Sequence, residues 1–123
     1  MKLPKNPINI FYGIFGGSMI VKSSDAKHRE FFGVRLQVLS VGQKSMVCKM
    51  LYKTNDIVPK HAHPNEQSGY VISGKYRLKY SHYDQIIESG DSYVIPENME
   101  HSFEILESGE VIDVFTPIRT DYL

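Results

Sequence analysis

The reading turns on Val58–Gly74, VPKHAHPNEQSGYVISG. Residues two apart on an extended chain point to the same side, so His61 and His63 project from one face. Two imidazoles held together chelate a divalent transition metal, because neutral imidazole suits Zn²⁺, Fe²⁺, Mn²⁺, Ni²⁺ and Cu²⁺ alike. Pro64 and Asn65 make a turn, and Glu66 and Gln67 follow. One of those two is expected to come back toward the histidine face. Alone, a His-x-His pair is a weak sign, more often surface or structural than ligating.

A second stretch, Gly90–Leu106, GDSYVIPENMEHSFEIL, strengthens the first. His101 comes after a short strand-like run (SYVI), a proline and a tight turn, so a third imidazole can reach the same point from a neighbouring strand. Three imidazoles and a fourth polar ligand leave open coordination positions, as a catalytic rather than a structural site requires.

The flanking sequence alternates with period two. Val34, Leu36 and Val38 oppose Arg35 and Gln37, and Tyr76, Leu78 and Tyr80 oppose Lys75, Arg77 and Lys79. Ser-Gly pairs at 73–74, 89–90 and 108–109 separate runs rich in Val, Ile, Tyr and Phe. Strands with one buried face and regular turns predict an all-β, single-domain antiparallel barrel, and closing the sheet hides its edges. No window carries a helical stripe, although DAKHREFF (25–32) is expected to form one short turn.

At 123 residues the chain holds one ordinary core. Lys+Arg equals Asp+Glu at 14 each, so no net field recruits nucleic acid or an anionic membrane, and neither is expected as a partner. Cys48 is the single cysteine, which excludes an internal disulfide and is compatible with a reducing compartment; it is expected to be a buried small hydrophobe. Lys2 and Lys5 precede INIFYGIFGGSMIV (8–21), which is broken by Asn9 and a Gly pair and followed by no small-x-small cleavage site. This run is too short to span a membrane. It is expected to be an extended arm or strand packing on this subunit or its partner, and the protein is expected to be cytoplasmic. The division expected is residues 1–32 as N-terminal arm or strand and 33–123 as the barrel domain.

The tail, EVIDVFTPIRTDYL, places Val111, Asp113 and Phe115 on one strand face and Ile112 and Val114 on the other. An aspartate among apolar residues is out of place unless its face meets a polar site. At the mouth of a barrel it would be partly desolvated, its pKa raised, and it could move protons near neutrality. Phe115 would wall the pocket, and Arg119 could grip a substrate carboxylate by a two-pronged hydrogen bond. The plain alternative is a structural pairing of Asp113 with Arg119 or a backbone amide.

The two histidine stretches resemble the two motifs of the cupin superfamily, in its small single-domain form. The first motif runs G, five residues, H-x-H, three or four residues, E, six residues, G; here Asn55, His61, His63, Gln67 and Gly74 occupy it. The spacing to Gly74 puts Gln67, not Glu66, in the ligand register. Glu66 is then a solvated turn carboxylate or an acceptor for a ligand imidazole N–H. The second motif runs G, five residues, P-x-G, two residues, H, three residues, N; here Gly90, Pro96, Asn98, His101 and Ile105 occupy it. Asn for Gly at 55 and 98 is a mild change, because Asn tolerates positive φ. An amide oxygen in place of a carboxylate at 67 leaves the ion more positive and less tightly held.

The tail is similar to the D-V-F-x-P-x-R-x-D-Y-L ending of the pectin-degradation (KdgF-like) subgroup of cupins. This resemblance implies a jelly-roll barrel and, by family habit, a homodimer. It implies one divalent ion, of nickel, zinc, iron or manganese, on His61, His63, Gln67 and His101, with Asp113, Phe115 and Arg119 catalytic. The activity it implies is opening of the ring of 4,5-unsaturated uronates, from pectin or alginate breakdown, to linear keto sugars. The partner expected is thus a carboxylate-bearing small molecule. Two alternatives stand beside it: a metal-dependent dioxygenase or isomerase of another small molecule, and a non-enzymatic small-molecule-binding cupin. His82 and Tyr70 are candidates to reach the pocket, and His28 is expected at the surface.

Overall fold

The computed structural model describes residues 19–123. A 3-10 turn at Ser23–Asp25 leads into ten strands: β1 (Lys27–Phe31), β2 (Val34–Val41), β3 (Met46–Tyr52), β4 (Ile57–His61), β5 (Glu66–Val71), β6 (Lys75–Tyr80), β7 (Tyr83–Glu88), β8 (Ser92–Ile95), β9 (His101–Glu107) and β10 (Gly109–Thr116). A second 3-10 turn, Thr120–Tyr122, closes the chain. The strands form a six-stranded sheet in the order β1-β2-β3-β10-β5-β8 and a four-stranded sheet in the order β4-β9-β6-β7. Every pairing is antiparallel. The chain crosses between the sheets repeatedly, which is the jelly-roll form of a β-barrel. No α-helix occurs among the described residues.

The period-two pattern becomes the core. Val34, Leu36, Val38, Cys48, Met50, Val71, Ile95 and Val111 face inward from the larger sheet. Val58, Tyr76, Leu78, Phe103 and Ile105 meet them from the smaller one. Each such side chain removed from water contributes roughly 1.5–3 kcal/mol. Cys48 lies fully buried in this layer, and desolvation pushes its thiol up to about 12, so it is a packing residue and no nucleophile.

Asn55 and Asn98 take φ of +74° and +60°, so both stand in the left-handed region that the glycine positions of the motifs require. Residues 25–32 differ from the expected helical turn. The turn lies upstream, at Ser23–Asp25, and Lys27–Phe31 is a strand pairing with β2 from Lys27↔Val38 to Phe31↔Val34. Pairing to an existing sheet outweighs the weak local helical preference of this segment. Of the apolar run 8–21, residues 8–18 lie outside the described residues. No helix among the described residues is long and apolar enough to cross a membrane.

Candidate metal centre

β4 delivers the first histidine through a bulge. Val58 pairs with Phe103 and His61 with His101, so β4 carries one residue more than β9 between those pairs. Strict alternation would send Val58 and His61 to opposite faces; the extra residue lets both face inward. Pro59 sits in the bulge, where its missing N–H breaks no ladder bond. His63 lies just past the end of β4, in the loop before β5, and is buried. His101 opens β9 and is 1% exposed.

The backbone sets the tautomer of each ring. His61 Nδ1–H donates to the Pro59 carbonyl oxygen at 2.9 Å, His63 Nδ1–H to that of Asn65 at 2.9 Å, and His101 Nδ1–H to that of Met99 at 2.8 Å. A carbonyl only accepts, so the neutral rings keep their Nε2 lone pairs free. One ring nitrogen from each of the three histidines falls within 4.8 Å of the others. Among the described residues the buried Nε2 of His101 has no hydrogen-bond partner.

Gln67 completes the set. β5 alternates strictly, which buries Gln67 and turns Glu66 outward to solvent. Gln67 Oε1 lies 3.1 Å from His63 Nε2. With Nδ1 carrying the proton, both of these atoms bear lone pairs and repel unless a cation lies between them. Adjacent ligands bonded at about 2.1 Å to one ion stand about 3 Å apart in octahedral geometry. The orphaned Nε2 of His101, the facing lone pairs and the neutral donor set therefore fit a divalent transition ion.

Burial also keeps the rings neutral. Desolvation lowers the pKa of His61, aided by the Arg119 charge, and that of His63 in the same way. It takes His101 down to about 4, with His61, His63 and Arg119 adding to the effect. A neutral ring needs no proton removed before it can ligate.

Asp113 is on the inner face of β10, 1% exposed. Desolvation raises its carboxyl to about 6, against hydrogen bonds from Tyr93 and Gln67 and the charge of Arg119. Its partner is Tyr93, whose hydroxyl donates to Oδ1 at 2.6 Å. Arg119 does not pair with it. The guanidinium instead meets Asp121, Nε to Oδ1 at 3.3 Å and Nη2 to Oδ2 at 2.8 Å, while Nη1 donates to the Tyr122 hydroxyl at 2.8 Å. It lies over the rings of Tyr122, Phe31 and Phe115 at 4.1, 4.9 and 5.2 Å.

His61, Gln67, His101, Asp113, Phe115 and Arg119 all line one cavity of about 20 Å³, room for an ion or a water rather than for a sugar. Phe31 also lines this cavity, and Phe31 and the exposed Phe32 pack against His61 with centroids at 5.2 and 5.8 Å. Tyr70 and His82 are exposed and line no part of this cavity, and His28 is also exposed. Sequence reading missed Tyr93, Phe31 and Tyr122. All three stood in quoted stretches, Tyr93 in 90–106, Phe31 in 25–32 and Tyr122 in the tail, but nothing local marked any of them.

A double-sheet jelly roll carrying three converging imidazoles defines a metal-binding β-barrel class. Residues 49–115, more than half of the chain, match the model of the cupin domain, and the chain belongs to that family. An RmlC-like cupin from Shewanella frigidimarina NCIMB 400 superposes with TM-score 0.80 at 22% identity, covering 87% of this chain and 97% of that one. KdgF from Halomonas sp. gives 0.77 at 22% identity, covering 85% and 99%. A mutant oxalate decarboxylase from Bacillus subtilis gives 0.73 at 22%, covering 81% of this chain but 29% of that larger one. At such identities the likeness is one of fold. No curated protein matches the sequence.

Proposed function

We propose that this cupin is a metal-dependent enzyme that opens the ring of 4,5-unsaturated uronates to linear keto sugars. The observation that carries this reading is the gathering of Asp113, Phe115 and Arg119 around the same cavity as His61, Gln67 and His101. The tail's similarity to the KdgF-like subgroup and the shared fold with KdgF from Halomonas sp. support it.

A divalent ion held by His61, His63, Gln67 and His101 supplies Lewis acidity toward a sugar oxygen. Ring opening is an isomerisation that needs no oxidant. The anomeric hydroxyl loses a proton, the C1–O5 bond breaks with its electron pair going to O5, and C4 gains a proton as C5 becomes a ketone. Asp113 is suited to carry that proton on Oδ2, because Oδ1 already accepts from Tyr93 and burial has brought its carboxyl to about 6. The Arg119 guanidinium, 5.2 Å from the centroid of the Phe115 ring, would take the uronate carboxylate on the planar donor edge that Asp121 occupies, displacing it. Phe115 and Phe31 exclude water from that contact.

The test is to incubate metal-loaded protein with unsaturated galacturonate or mannuronate and follow the conjugated ultraviolet absorbance. Loss of signal is expected, abolished by Asp113→Asn with the metal retained. A rate no faster than the uncatalysed one, with metal bound, overturns the reading. A metal-dependent dioxygenase or isomerase of another small molecule would use the same site, and oxygen uptake by iron-loaded protein would identify the dioxygenase.

A further inference from the structure

We propose that Tyr93 is a positioning residue that fixes the Asp113 carboxyl and, through it, the Gln67 amide, and that Gly69 is a glycine so that this contact can form. The inference rests on the metal-dependent reading above and names a further part of the same site.

Three paired residues form one row across the larger sheet. Asp113 on β10 pairs with Gly69 on β5, and Gly69 pairs with Tyr93 on β8. Adjacent strands are about 4.8 Å apart, so the outer members of such a row stand almost 10 Å apart and do not ordinarily touch. Tyr93 bridges the gap by lying across the middle strand. A Cβ placed on Gly69 would run into the Tyr93 ring, so any side chain there displaces it. The ring is held from the opposite sheet by Phe103, with centroids at 5.5 Å. Its hydroxyl then reaches Asp113 Oδ1 at 2.6 Å, the short distance of an O–H donor on a charged acceptor.

The consequence passes to the ligand. Gln67 pairs with Phe115, two residues along β10 from Asp113, and faces inward beside it. An amide has an acceptor end and a donor end, and its neighbours decide which way it points. Gln67 Oε1 lies 3.1 Å from His63 Nε2, so the NH₂ end is the one left for the Asp113 carboxyl beside it. A carboxylate only accepts, so in that place it favours the amide orientation that keeps Oε1 toward the histidine. Were the carboxyl free to swing away, the amide could rotate and offer the cation an NH₂ group, which has no lone pair to give.

The test uses Tyr93→Phe, which keeps the ring and removes the hydroxyl, and Gly69→Ala, which keeps the hydroxyl and moves the ring. Calorimetric titration with Ni²⁺ is expected to show affinity lowered about tenfold in each, the effect of losing a partner that orients a ligand. The double variant is expected to be no weaker than the weaker single one, since both act through one contact. The visible spectrum of the Co²⁺-loaded protein should change in each, and Tyr83→Phe, at an exposed tyrosine, should match the unaltered protein. Crystal structures of Tyr93→Phe are expected to show the Asp113 carboxyl turned and the Gln67 amide rotated.

Unaltered Ni²⁺ affinity in Tyr93→Phe, with both groups in their original places, overturns the proposal. Should Gly69→Ala fail to fold, Tyr93→Phe decides alone. If the unaltered protein takes up no metal, the functional reading falls, and the Tyr93→Phe crystal structure still decides between displaced and undisturbed groups. If it binds Ni²⁺ but opens no uronate, the functional reading falls while the affinity comparison stands.

Discussion

Arg119 grips Asp121 with its Nε–Nη2 edge, at 3.3 and 2.8 Å, on the wall of the cavity that the histidines line. That edge takes a planar carboxylate by two parallel bonds. On the proposed reading the chain's own carboxylate occupies the edge that would take a substrate's, and a carboxylate ligand would have to displace it. With the Asp121 side chain 56% exposed, water supports the released group and the pair is weak. Asp121→Asn is expected to tighten galacturonate binding by up to about fivefold, the equivalent of the ~1 kcal/mol at the upper end for exposed ion pairs. Calorimetric titration checks this, and weaker binding by the variant would show that Asp121 helps to present Arg119 instead.

Metal addition should stabilise the protein by mass action. At Ni²⁺ one hundred times the dissociation constant the gain is about 2.7 kcal/mol, visible as a higher Tm that a chelator reverses. His101→Ala should lose most of that response, because the residue supplies the buried unpartnered Nε2. A variant whose Tm still climbs with Ni²⁺ as the unaltered protein's does would remove His101 from the ligand set.

The pH response of metal-free protein has two opposed parts. His61, His63 and His101 have lowered pKa, His101 from 6.5 to about 4, so between those values the unfolded chain binds more protons and stability falls on acidification. Asp113 is raised from 3.8 to about 6, so the folded chain binds more protons there and stability rises on acidification. Asp113→Asn removes only the second part. It should therefore be more stable than the unaltered protein at pH 7 and lose stability more steeply toward pH 4. Thermal melts across that range in chelator give the slopes, and parallel curves would mean that Asp113 does not titrate there.

Phe31 and Phe32 sit side by side against His61 with opposite demands. Phe31 touches Arg119, His61 and Tyr122, so Phe31→Ala should destabilise by about 1–3 kcal/mol. Phe32 has φ of +52° and is 55% exposed, a conformation that is strained by about 1–2 kcal/mol for a residue with a Cβ. Phe32→Gly should leave Tm unchanged or raise it. A drop as large as that of Phe31→Ala would mean that the ring's contact with His61 outweighs the strain.

Several features were legible because they depend on spacing along the chain. Val34, Leu36 and Val38 alternate with polar neighbours and all turn inward. The choice of Gln67 over Glu66 came from the spacing to Gly74 in the motif that the segment resembles, and the structure buries Gln67 and exposes Glu66. Asn55 and Asn98 were recognisable as left-handed positions. The helical turn expected at 25–32 became a strand because its partner lies in β2.

The chain itself, through period and spacing, determined that there would be an inward face and named several residues on it, among them Val34, Leu36, Val38, Tyr76 and Leu78. Tertiary structure alone decided how those residues are held. Pro59 in a bulge aims His61; Tyr93 reaches over Gly69 to Asp113; Asp121, not Asp113, takes Arg119; and Phe31, far from His61 in sequence, closes over it. The reason is physical: alternation is a property of one strand, whereas a contact across a row or between sheets depends on the registry of several strands at once, which no single segment encodes.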